Sequence, residues 1–298
     1  MSWRIIYVEE SDKLILYLDN VKVIRANRET IVPLSDINTI MIDNTKTLLS
    51  AQLLNRCADY NITVFTCDAK HTPHAVTLPL SGNYRSTHML RKQLQWGGEC
   101  ADALWQYIVR MKITMQARAL KLCTGDGTTT ERLMQFAQEV APGDPQNCEG
   151  LAARMYFRAL FGADFLRDDE TPINAALNYG YSIVRSQLAR AIVAHGLNAH
   201  IGIFHRGPGN AFNLADDLIE PLRPIIDHWV YHHITPTTLF ARKHRLALIA
   251  LMTHKVNYDN KKVTLIFAIN NIVERFIEDM DNCGVTTLTY PDVKTYDL

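Results

Sequence analysis

The sequence predicts an α+β protein in two parts: a small β-rich N-terminal domain over residues 1–80 and a larger all-α domain over residues 81–298. Up to about Pro79 the apolar residues come in short β-branched runs separated by turn residues. Beyond Ser81-Gly82-Asn83 they recur at helical spacing to the end of the chain. A length of 298 residues suits two ordinary domains better than one.

Residues 5–8, 14–18, 21–24, 31–34 and 37–42 read as strands, with Asp19-Asn20 as a tight hairpin because both residue types tolerate positive φ. A helix over 50–60 with Ser50 as N-cap and a strand over 62–65 complete the first domain. The second is read as helices over 89–122, 131–140, 149–161, 174–195, 218–233, 242–253 and 265–280. Breaks fall at Gly125-Asp126-Gly127, at Pro142-Gly143-Asp144-Pro145 and over residues 200–213, which include Gly207-Pro208-Gly209.

A composition of 47% hydrophobic and 21% charged residues excludes a disordered, collagen-like or coiled-coil chain. Lys plus Arg and Asp plus Glu number 31 each, so overall charge selects no partner and any nucleic-acid surface must be local. Two such stretches exist: residues 82–122 and residues 223–262 each hold seven cations against two anions. Six cysteines without a Cys-x-x-Cys pair argue against a zinc ribbon and a disulfide framework, so reduced thiols are expected. No apolar run approaches the roughly 20 residues of a membrane span, and a cytoplasmic location is expected by default.

Gly125-Asp126-Gly127-Thr128 lacks the lysine of a phosphate-binding loop, and no Gly-x-Gly-x-x-Gly or Gly-x-Ser-x-Gly segment occurs. What remains is a set of acids and histidines at element boundaries. Glu149 lies in the first turn of a helix, where an acid also complements the helix dipole. His205 sits in a glycine-bracketed loop between two apolar helices, a place for a plain polar residue as well as for a ligand. Asp217 and Glu220 share a helix face and also fit a capping box led by Asp216 or Asp217. Two carboxylates and one imidazole form a hard-metal set suited to Mg²⁺ or Mn²⁺. His228, His232 and His233 offer a second candidate of zincin-like spacing, but Trp229 stands where the glutamate belongs.

Four segments carry a resemblance. They are Glu149-Gly150-x-x-Ala153-Arg154-x-Tyr156-Phe157, then Asn174-Ala175-x-Leu177-Asn178-Tyr179-Gly180-Tyr181, the segment closing on His205, and Asp217-Leu218-Ile219-Glu220-Pro221-Leu222-Arg223-Pro224. Together they resemble the CRISPR-associated integrase family, metal-dependent nucleases that insert spacers into CRISPR arrays. The similarity spans essentially the whole chain and looks nearest to the type II subgroup. It implies Glu149, His205 and Glu220 as catalytic metal ligands, with Asp217 in reserve for the third, and Mg²⁺ or Mn²⁺ as the ion. It implies attack of a 3′-hydroxyl on a phosphodiester at the repeat edge of double-stranded DNA, with phosphates held by cations such as Arg206, Arg223, Arg242, Lys243 and Arg245. Because neutral His205 is the ligand, activity is expected to fall below about pH 6.5. The same resemblance implies a homodimer through the first domain, a bridging dimer of a small second adaptation protein, and, among type II relatives, a ring-forming accessory protein and the interference nuclease. A DNA-binding scaffold without catalysis and a generic metal-dependent phosphoesterase are the alternatives; the two basic stretches favour a polymeric phosphate over a small one.

Overall fold

A computed structural model describes residues 4–10, 13–26, 28–69, 71, 73–79, 83–284 and 287–294. The chain divides into two compact units, Met1–Met89 with Val193–Leu197, and Leu90–Ile192 with Asn198–Leu298. The expected boundary at residues 80 and 81 falls outside the described residues.

The first unit contains β1 (Arg4–Val8), β2 (Lys13–Tyr17), β3 (Asn20–Arg25), β4 (Arg28–Pro33), β5 (Ile37–Ile42), β6 (Leu48–Leu49), α1 (Ala51–Asp59), β7 (Thr63–Cys67) and β8 (Pro73–Thr77). One sheet has the order β1-β5-β7-β8, its first three strands parallel, and the other the order β4-β3-β2-β6. All six residues of β5 are buried, as an inner strand with a partner on each side requires. Leu14 and Val21 of one sheet, Val8, Ile40 and Val64 of the other, and Leu53 and Cys57 of α1 share one core. Ser50 caps α1 as expected, its hydroxyl accepting from the Leu53 amide at 3.2 Å. The hairpin turns one residue earlier than predicted: Leu18 and Asp19 take positive φ, and Asn20 already pairs with Tyr17. The edge strand β4 is exposed along most of its length.

The helical region comprises α2 (Ser86–Gln93), α3 (Gly98–Thr124), α4 (Gly127–Glu139), α5 (Cys148–Phe161), α6 (Pro172–Ala194), α7 (Asn213–Ile219), α8 (Arg223–His233), α9 (Arg242–Ala250) and α10 (Leu265–Asn282). The structure corrects four sequence-based expectations here. The helix read over 89–122 breaks at residues 94–97, and α3 starts afresh on Gly98, which adopts a φ of 59°. The helix read over 218–233 is two helices joined by a tight turn at Glu220–Leu222, because Pro221 and Pro224 have no N–H to continue the ladder. The second unit is not wholly helical: β9 (Lys255–Tyr258) and β10 (Lys261–Thr264) form a hairpin turned by Asp259 and Asn260, both at positive φ. Lastly, Cys100 and Cys283 form a disulfide, since the start of α3 meets the end of α10 at a Cα separation of 5.0 Å.

The core of the second unit is organised on α3, whose Leu104, Trp105, Ile108 and Ile113 are buried under neighbouring helices. Where α6 meets α8, a Cβ on Gly180 would stand 2.4 Å from the Ile226 side chain, so the glycine sets how closely the two helices approach. Among the described residues, no helix is long and apolar enough to cross a membrane.

Candidate active site

Glu149 is presented by a doubly capped helix start. The Asn147 side chain accepts from the Gly150 amide, and Asp144 accepts from the amides of Cys148 at 2.8 Å and Glu149 at 3.0 Å. With these amides satisfied by Asn147 and Asp144, the Glu149 carboxylate is left to face α3. There it meets Lys112, whose ammonium pairs with Glu149 and lies 2.5 Å from a Glu220 oxygen. Glu220 also accepts from the Arg223 guanidinium at 3.0 Å. Burial alone would raise the Glu220 carboxyl, but Arg223 and Lys112 outweigh it and hold it well below the usual carboxylate range. The same contest raises Lys112: burial disfavours its charge, and Glu220 and Glu149 prevail.

His205 is set by a loop wrapped around Asp217, which is fully buried. One Asp217 oxygen accepts from the Ile203 amide at 2.7 Å; the other accepts from the His205 amide at 2.9 Å and lies 2.8 Å from His205 Nδ1. A Cβ on Gly202 would come within 2.5 Å of both Asp217 Oδ2 and the His205 carbonyl, so only glycine lets the loop close on the acid. Trp105 stacks on Phe204 at 4.2 Å and meets the His205 ring edge-on at 5.7 Å. The hydrogen bond that the ring donates to Asp217 raises the His205 pKa above the ordinary imidazole value, against its partial burial. A raised value keeps the ring protonated to higher pH, so the acid-side loss expected near pH 6.5 begins higher.

The two acids that the sequence left as alternatives stand in different surroundings. Asp217 is in the middle of α7 and is committed to the loop and the imidazole, while Glu220 lies past the end of that helix, facing Lys112. The capping box therefore does not form. The donor atoms of Glu149, His205 and Glu220 do not all fall within 4.8 Å of one another, and an ammonium lies between the two acids. The set nonetheless fits a hard divalent cation: two carboxylates converge on one positive charge, and an imidazole engaged at Nδ1 keeps Nε2 available.

The predicted phosphate contacts divide. Arg206 is exposed beside an open cleft of about 480 Å³ that His200, His205 and Trp96 help to line, and Arg242 and Lys243 are exposed at the start of α9. Arg223 is instead bound to Glu220 and lies over the Tyr181 ring at 4.6 Å, and Arg245 is only 8% exposed. Lys112, one of the cations of the first basic stretch, is an internal group. Buried Asp227 accepts from the hydroxyls of Tyr156 and Tyr181, which ties α5, α6 and α8 together. Burial pushes its carboxyl up to about 6 in spite of those two bonds. Sequence reasoning missed Lys112, Asp144, Trp105 and Asp227. The available signal for Lys112 was a lysine on the apolar face of a helix, between Ile108 and Met115.

A family model described as CRISPR associated protein Cas1 matches residues 6–245. A CRISPR-associated endonuclease Cas1 of Neisseria meningitidis serogroup C is 35% identical over 299 aligned residues, covering 98% of this chain and 97% of that one. A second, from Pyrobaculum aerophilum, is 29% identical and covers 66% of this chain and 70% of its own. Among solved structures, a Cas1 protein from Thermotoga maritima superposes with a TM-score of 0.77 at 14% identity over 96% of this chain and 99% of that one. A casposase bound to integration product superposes at 0.70 with 18% identity, over 97% and 93%. In a Cas6-RT-Cas1–Cas2 complex the TM-score is 0.77 at 17% identity; there the match takes in 98% of this chain and about a third, 36%, of the other. Agreement with the family model from strand β1 into α9, joined to 35% identity along nearly the full length of a relative, makes this chain a member of the Cas1 family.

Proposed function

We propose that this protein is a divalent-metal-dependent DNA endonuclease and integrase that inserts short DNA fragments into a CRISPR array. The observation that carries the reading is the convergence of Glu149 and Glu220 on one cation in a site that also receives His205, oriented by Asp217. The near full-length Neisseria relative, named an endonuclease, and the structural likeness to a casposase bound to integration product support it.

Glu149, His205 and Glu220 would hold a Mg²⁺ or Mn²⁺ ion, which supplies Lewis acidity toward the scissile phosphate and the departing oxygen. Asp217, engaging the imidazole at Nδ1, would hold the proton there and leave Nε2 as the nitrogen to bind the ion. Arg206, exposed beside the same cleft, meets a DNA phosphate. A fragment's 3′-oxygen forms a new bond to phosphorus as the bond to the 3′-oxygen of the strand flanking the repeat breaks, so one phosphodiester replaces another; the attacking hydroxyl's proton passes to water, and the departing 3′-oxygen takes a proton from water. The test is a strand-transfer assay with purified protein, a duplex bearing free 3′-hydroxyls, a repeat-containing plasmid and Mn²⁺. Joined product that disappears with chelator is expected; hydrolysis of small phosphoesters without any joined DNA would replace this reading with the phosphoesterase one.

DNA affinity is expected to depend steeply on salt despite zero net charge. If about six phosphates are neutralised, log affinity falls against log salt with a slope of about −5, and charge reversal at Arg206 or Lys243 flattens it by about 1. Arg245, being buried, is a poor site for that test. Fluorescence anisotropy at several salt concentrations measures the slope, and a value near zero would count against a polymeric substrate.

Insertion of a duplex needs two attacks on opposite strands, and one site serves one strand. We therefore read the isolated chain as a dimer, formed through an exposed sheet edge such as β4, where Ile31 is 49% exposed. Full-site insertion is expected only with a small partner like the Cas2 named in the complexes that this chain resembles. Analytical ultracentrifugation followed by titration of that partner checks both points; a monomer, or full-site insertion without it, would refute them.

A further inference from the structure

One cluster of metal-ligating side chains plays no part in the site described above. Cys123, near the end of α3, lies against His228 and His232 of α8, with one potential donor atom from each residue all within 4.8 Å of one another. Cys123 is a free thiol. The two histidines are four apart on one helix face, their ring centroids 4.8 Å apart. His228 Nδ1 is buried and has no hydrogen-bond partner. His233, grouped with these histidines on sequence, faces elsewhere: its ring stacks on Trp229 and its Nδ1 lies 2.7 Å from the Trp229 carbonyl.

We propose that Cys123, His228 and His232 form a second metal site, selective for a borderline or soft ion of the Zn²⁺ class and separate from the hard-cation site of Glu149, His205 and Glu220. One thiolate and two imidazoles are the ligands such an ion prefers, and Mg²⁺ and Mn²⁺, which favour oxygen, do not compete for them. Tetrahedral bonds of about 2.0–2.3 Å set ligand atoms about 3.3–3.8 Å apart, so side-chain rotation closes the remaining gap. Burial pushes the Cys123 thiol up to about 12, and a coordinated ion reverses this, since metal-bound thiols are deprotonated outright. Exposed His232 leaves room for water in the fourth position. The ion would staple α3 to α8 some 16 Å along α3 from Lys112, fixing the helix pair that carries Lys112 and Asp227.

The experiment uses tag-free full-length protein stripped with chelator, held in excess Mg²⁺ to occupy the hard site, and titrated with Co²⁺. A thiolate-to-cobalt charge-transfer band saturating at a single equivalent, displaced by Zn²⁺ and accompanied by a rise in Tm, is expected. Cys123→Ser should lose the band, and His232→Ala, at an exposed position that folding does not need, should weaken binding by about 100-fold or more. Glu149→Ala should keep the band, which shows that the cobalt giving it is not held by the hard site. Wild-type protein without a thiolate band, a band unchanged in His232→Ala, or a band lost in Glu149→Ala and kept in Cys123→Ser would each overturn the proposal.

Discussion

Alanine at Glu149 or His205 is expected to lower strand transfer by about 10³-fold or more, the roughly 4 kcal/mol of charge stabilisation that a positioned cation contributes. Both variants should fold and bind DNA, because neither side chain fills the core: Glu149 has a side chain 25% exposed and His205 one 37% exposed. Glu220 differs. It is 4% exposed and is the shared partner of Lys112 and Arg223, so Glu220→Ala takes the ion-pair partner from Arg223, leaves Lys112 with Glu149 alone, and costs stability as well as activity. Glu220→Gln keeps the volume and one of the two acceptor oxygens while removing the charge, so it costs less stability than alanine and helps to separate the two effects. Single-turnover strand transfer with Mn²⁺, with Tm and anisotropy run in parallel, is the measurement. Wild-type-like joining by any of these variants would remove that residue from the site. Asp217→Asn should be milder, since it loosens the imidazole rather than deleting a ligand, and its defect should appear as a displaced pH profile.

What the sequence revealed followed from the range of its signals. The strands of the first unit announce themselves through β-branched runs and turn residues a few positions apart, so most could be placed to within a residue or two. Glu149 and His205 stand in short segments whose composition is distinctive, and Asp217 and Glu220 stand together in a third. Their different surroundings were not legible, because they depend on where α7 starts and on two prolines that divide what periodicity reads as one helix. The hairpin of β9 and β10 lies between the helices read over 242–253 and 265–280, an interval to which the sequence reading assigns no strand although Asp259-Asn260 carries the turn chemistry assigned to Asp19-Asn20. The disulfide between Cys100 and Cys283 joins positions 183 apart, and no local pattern signals such a pairing. Lys112 is the most consequential omission: counted by charge it belonged to a solvated basic stretch, and only the packing of α3 under α5 and the Glu220 turn reveals it as internal.

Replacing that lysine is expected to have the second large effect, on stability and in a metal-dependent way. Lys112→Met keeps the length and apolar stem of the side chain but removes the charge between Glu149 and Glu220. Two carboxylates then confront each other in a buried site with only Arg223 left to one of them. Breaking a buried pair in this way costs about 3–5 kcal/mol, and the partial exposure of Glu149 places the cost near 3. For a unit of this size that corresponds to a fall in Tm of about 6–12 °C in the presence of chelator. The variant should also bind divalent cations more tightly, because a doubly charged ion no longer competes with an ammonium for the same two carboxylates. Saturating Mg²⁺ should therefore raise the Tm of Lys112→Met by more than it raises that of the wild type, and calorimetry with and without the ion reads the difference directly. Equal stability of the two proteins in chelator would show that Lys112 is not the charge that holds the acids together. An equal Mg²⁺ shift would show that it does not occupy the place of the cation.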